Sequence, residues 1–109
     1  IPIFSNQLEK AKEATDLANL RAAYAECSTS VLTGEASSAN VKPGTADGSY
    51  YETIDVTQTK ANWTGDNVNA KIGSFAVNNK IMMSDNVAKM TVSVKADGTV
   101  KINDGETHE

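Results

Sequence analysis

His108 is the sole histidine of this 109-residue chain and stands next to its last residue. A general base must be held within hydrogen-bond reach of its proton. The acidic tail "DGETHE" offers no such hold, so the sequence predicts a solvated, fraying end. Cys27 is likewise alone. It can form neither an internal disulfide nor a cysteine-rich metal site. Placed between Tyr24 and Val31 in a helical stretch with no histidine to activate it, Cys27 reads as a buried structural thiol. Asp66, Asp85, Asp97 and Asp104 are spread among turns. Two of them could meet around calcium, but Asp and Asn are ordinary turn residues. Asn62-Trp63-Thr64 matches the short glycosylation sequon. No HExxH, GxSxG or phosphate-loop pattern occurs. The residues that could do chemistry therefore predict no enzyme, no cofactor and no metal site. Fourteen acids against ten Lys and Arg give a net charge of -4, which lacks the basic footprint of a nucleic-acid binder. No run of about 18 apolar residues is present to span a membrane.

The elements that carry these residues are easier to read. Residues 5–32 hold neither Gly nor Pro and are dominated by good helix formers such as Leu8, Glu9, Ala11 and Arg21. Pro2 suits a first helical turn, or a kink in a helix continuing upstream. Thr33-Gly34 supplies the stop. At about 1.5 Å per residue such a helix runs for roughly 45 Å, against a radius of gyration near 13 Å for a domain of this size. Part of it is expected to project.

The helix has two apolar stripes. Leu17, Leu20, Tyr24, Cys27 and Val31 follow a 3-4-3-4 spacing on one side. Phe4, Leu8, Ala11, Thr15, Ala18, Ala22 and Ala25 follow the same rhythm on the other. The first stripe is expected to face the chain's own sheet. The second faces elsewhere, its small alanines allowing another helix to approach closely. Glu9, Lys10, Lys12, Glu13 and Asp16 read as i,i+3 and i,i+4 pairs on a solvated face, each worth about 0.2–0.5 kcal/mol.

The remainder is turn-rich and β-rich. Residues 36–49, "ASSANVKPGTADGS", form a loop. "YYETIDVTQTK" alternates, with Tyr50, Ile54 and Val56 on one face. Trp63 falls in a turn. "VNAKIGSFAV" reads as a strand interrupted at Gly73 by a bulge or break, and "NNKIMMS" as a further short strand. "AKMTVSVKADGTVKIN" is a hairpin turning at Ala96-Asp97-Gly98. The expected architecture is a single α+β domain: helix 1–33, loop 34–49, and a small antiparallel β-sheet region with its tail over 50–109.

The first 26 residues, "IPIFSNQLEKAKEATDLANLRAAYAE", resemble the part of a type IV pilin or pilin-like (pseudopilin) protein just after its membrane-spanning half helix, in the form common among Gram-positive gut bacteria. The likeness is close over residues 1–26 and loose across the sheet. Precursors of that family carry a basic leader, a G-F-T-L-V-E-type run and roughly 20 apolar residues before this point. The resemblance thus implies a soluble fragment lacking the leader and the apolar half helix. It implies a pilin-like head on a long helix, a membrane-anchored precursor, an extracellular or cell-surface location, and other pilin subunits as partners. Phe4, Leu8, Ala11, Ala18 and Ala22 would then contact neighbouring subunits, and Leu17, Leu20, Tyr24, Cys27 and Val31 would pack the head. The alternative is a membrane-tethered surface domain that binds a glycan or protein and never polymerises.

Overall fold

The structure is a computed structural model that describes residues 2–108, with side chains described from Gln7 onward. It is an α+β fold: one long N-terminal helix packed on a small antiparallel sheet. Helix α1 (Pro2–Thr33) has no internal Gly or Pro and ends where the Gly34 N–H donates to the Ser30 carbonyl at 2.8 Å. Gly34 takes φ +79° there, a conformation that costs a residue without Cβ little.

Four strands make the main sheet in the order β1-β2-β5-β6. They are β1 (Lys42–Pro43), β2 (Tyr50–Asp55), β5 (Lys89–Val94) and β6 (Val100–Asp104). Between β2 and β5 lie a 3₁₀ turn (Gly65–Asn69) and a separate ribbon of β3 (Lys71–Ile72) and β4 (Phe75–Ala76). All strand pairs are antiparallel. The β5–β6 hairpin is the one expected from the alternation: Val94 faces Val100, and the Asp97 carboxylate accepts the Thr99 N–H inside the turn.

The core lies between α1 and the inner face of the sheet. Leu17, Leu20, Ala23 and Cys27 come from the helix, and Met90, Val92, Val94, Val100 and Ile102 from β5 and β6. The long β2–β5 connection adds Trp63, Ile72, Val77, Ile81 and Met82. Trp63, placed in a turn by its sequence, is buried with its indole N–H donating to the Ile81 carbonyl at 3.3 Å.

Two local expectations are corrected and a third is narrowed. "NNKIMMS" is not a strand: Met82 sits at φ +57°, which breaks extended backbone, and the Asp104 carboxylate accepts the Met82 and Met83 N–H groups instead of a ladder partner. Of the two alternatives at Gly73, the structure shows the break: Gly73 is half of a two-residue hairpin turn, since Ile72 pairs with Phe75. The tail does not fray but crosses the outer face of the sheet. There the Gly105 N–H donates to the Lys89 carbonyl, the Thr91 hydroxyl donates to the Gly105 carbonyl, and His108 stacks on Tyr51 with ring centroids 3.7 Å apart. That cover buries Thr91 and Ser93, so β5 is enclosed on both faces.

Gly73 has two reasons to be glycine: φ is +61°, and a Cβ there would stand 2.8 Å from Cζ of Tyr24. Gly73→Ala is expected to destabilise the domain by about 1–3 kcal/mol, read as a lower urea midpoint at unchanged m-value.

Candidate functional site

The two sides of α1 are the features with functional content. On the sheet side Leu17, Leu20 and Cys27 are buried, while Tyr24 and Val31 pack half-buried at the margin. Cys27 donates to the Val92 carbonyl at 3.9 Å. Burial, then the nearby Glu52 and Glu26 charges, push its thiol up to about 12. A thiol so protonated is no nucleophile at neutral pH.

The sheet-side stripe does not stop at Leu17. It continues toward the N-terminus as carboxylates at Asp16, Glu13 and Glu9, keeping the 3-4 spacing. The reading of these acids as surface ion-pair partners is therefore corrected: Glu13 is 1% exposed and Asp16 fully buried. Each accepts hydrogen bonds from the chain that follows β2. Asp16 takes the N–H groups of Thr57 and Gln58 at 2.8 and 2.9 Å and the Thr57 hydroxyl at 2.9 Å. Glu13 takes the Thr64 N–H at 2.8 Å, the Thr64 hydroxyl, and the Asn67 side-chain amide at 3.0 Å. Glu9 takes the Thr59 and Lys60 N–H groups at 3.2 and 3.3 Å and the Thr59 hydroxyl at 3.0 Å. The repeating interval 9-13-16-20 is the sequence signal that could have placed these acids inward. The head accordingly holds α1 as far as Glu9, further than the apolar stripe alone implies.

The opposite side is uncovered. Ala11, Ala18 and Ala22 are exposed, and Leu8 is 57% exposed. Leu8 borders a groove of about 710 Å³ together with Lys10, Lys12, Thr59 and Lys60. Phe4, the other large residue assigned to this stripe, lies outside the described residues. Among the described residues of the two stripes, Leu17, Leu20 and Cys27 are buried, and Leu8, Ala11, Ala18 and Ala22 are exposed.

A carboxyl pair spans helix and sheet. Glu52 faces inward from β2, only 7% exposed, and its Oε1 has no hydrogen-bond partner. Its pKa is raised to about 7, first by burial, then by the hydrogen bond and charge it shares with Glu26 of α1. Neutral Glu52 donates to the Glu26 carboxylate; ionised Glu52 repels it. The turn aspartates do not converge: Asp85 accepts the Ala61 N–H, Asp97 that of Thr99, and Asp104 those of Met82 and Met83. Among the described residues no three His, Cys, Asp or Glu side chains are grouped to hold a metal, and no helix is long and apolar enough to cross a membrane. No protein-family model, curated protein or solved structure matches the chain.

Asp16→Ala should strand one buried main-chain donor, the Gln58 N–H, and one part-buried donor, the Thr57 N–H, at a cost of about 1–3 kcal/mol measured by urea unfolding. Asp16→Asn, which keeps one acceptor, should cost less. Glu52 gives a pH dependence of opposite sign to the usual carboxylate. Its folded pKa lies above the unfolded value, so the folded state binds the extra proton and stability falls as pH rises through the window between them. The thermal midpoint is expected to be higher near pH 5 than near pH 8, and Glu52→Gln to narrow that gap by raising the midpoint near pH 8.

Proposed function

We propose that this chain is a structural, non-catalytic subunit of a type IV pilus or pilus-like filament, as a pilin, minor pilin or pseudopilin. The observation that carries this reading is the free side of α1. Leu8 and the small residues Ala11, Ala18 and Ala22 form a continuous strip that the head leaves bare. Burying a Leu side chain is worth about 1.5–3 kcal/mol, and a strip of alanines lets helices pack at close distance, so the strip suits helix-on-helix assembly. The resemblance of residues 1–26 to the pilin helix points the same way. In this reading α1 enters the filament core, and the sheet with its covering tail is displayed outside. The precursor is membrane-anchored before assembly, and the filament is extracellular.

Two measurements test the reading. The codons upstream of Ile1 should encode a leader with a processing site and an apolar half helix; an anchor without a processing site would favour a tethered, non-polymerising surface domain. Leu8→Asp in the assembling protein should abolish filaments while shifting the thermal midpoint of the 109-residue chain by no more than a surface substitution does, within about 0.5 kcal/mol. Unfolding of the isolated chain by Leu8→Asp would place Leu8 in the domain's own core and overturn the assignment.

A further inference from the structure

Strand β2 has one edge that is mostly unpaired. The Val56 N–H donates to the Ala88 carbonyl at 2.9 Å, and Ile54 and Glu52 pair with Met90 and Val92 in the same register. By antiparallel alternation, the even-numbered residues turn their main-chain groups to β5, and Tyr51, Thr53 and Asp55 turn theirs the other way. On that other side β1 pairs only with Tyr50 and Tyr51. The chain before β1 leaves the ladder at Asn40, whose N–H donates to the Ser38 hydroxyl. The N–H and C=O groups of Thr53 and Asp55 therefore line an open edge.

A hollow flanks that edge on each face. The helix side has one of about 400 Å³, walled by Asn19, Ala22, Glu52 and Ile54. The outer side has one of about 390 Å³, walled by Tyr51, Glu106 and His108. Asn40 and Thr53 belong to both. Side chains of an added strand alternate between faces, so successive residues would enter the two hollows in turn. The charge is mainly acidic: Glu52, Asp55 and Glu106 against Lys42. Asp55 is already paired with Lys89 at 2.7 Å on the outer face, whereas the Glu52 Oε1 is buried and unpartnered. A buried acceptor without a donor favours a cation that reaches it.

We propose that the open edge of β2 at Thr53 and Asp55 takes up an extended basic segment of another protein as an added strand, with a Lys or Arg on its helix-facing side reaching Glu52. A second copy of this chain is a poorer occupant, because pairing two such edges would set like carboxylates against one another. The inference rests on the β2 edge and on a hollow that Asn19 and Ala22 of α1 help to wall, and it is tested on the unassembled chain, separately from filament formation.

The test is a titration of the isotope-labelled chain with a capped peptide of alternating Lys and Thr, followed by amide NMR near pH 8, where Glu52 is ionised. A matched peptide of alternating Glu and Thr serves as control. The expected result is binding of the Lys peptide alone, with the Thr53 and Asp55 amides gaining about tenfold protection from hydrogen exchange. Glu52→Gln should weaken that binding about tenfold. Asp55→Pro, which removes an outward N–H and no ladder bond, should abolish it while leaving the fold intact by circular dichroism. Equal binding of both peptides, unchanged affinity in Asp55→Pro, or chemical-shift changes centred on Leu8 rather than β2 would overturn the proposal. So would protection of the same amides without peptide in a sedimenting dimer, which would make the occupant a second copy.

Discussion

The fold depends on a row of helix carboxylates answering main-chain N–H groups. After β2 the chain runs through residues 57–64 with no strand partner for its backbone. The Gln58 N–H is buried there and those of Thr57 and Thr64 are part-buried; a buried N–H without an acceptor costs about 1–3 kcal/mol. Asp16, Glu13 and Glu9 supply those acceptors from one face of α1. With the backbone satisfied there, Trp63, Ile72, Val77, Ile81 and Met82 can be delivered into the core beside the sheet. A four-stranded sheet thereby covers more of a 32-residue helix than its own width would allow. The protein's longest dimension, 49 Å, is about the length of that helix.

The same arrangement divides the helix by chemistry. Its sheet side is apolar over the strands and acidic over the loop, because strands have already satisfied their backbone and the loop has not. Its far side, bare from Leu8 to Ala22, satisfies nothing within the domain. The Glu26–Glu52 pair marks the seam between the two, where a strand side chain of the wrong polarity is held under the helix by sharing a proton.

How much of this was legible in the sequence follows from which interactions leave a pattern. Side chains that pack on side chains repeat with the period of their element, so α1, its two stripes and the β5–β6 hairpin could be read directly. Side chains that bind main chain leave no complementary residue to recognise, so only the 9-13-16-20 interval on the helix marks its acids as inward-facing. Glu13 and Asp16 therefore looked like surface acids, and Asp104 looked like a turn residue rather than the acceptor that shapes residues 82–83. β1, two residues long, carries no alternation at all. The tail was misread for a related reason: its hold on the sheet comes from the Gly105 main chain, the Asn103 amide donating to the Thr107 carbonyl, and one ring stack, none of which composition announces.

The spacing of the carboxylate contacts along the chain also fixes an order of events. Asp16 meets its donors 41 and 42 residues later, and Glu13 meets Asn67 after 54. The helix is synthesised before the donors that Asp16 and Glu13 accept from, which lie 41 to 54 residues further along the chain. Its two sides are then equally bare, and contacts this distant in sequence are slow to close. A newly made helix with a sheet side not yet covered and a far side that its own domain never covers is open to premature association with its own kind. The later chain separates the two sides, residues 57–67 closing on the N-terminal half and β5 and β6 on the rest, so that one side becomes interior and the other stays exposed.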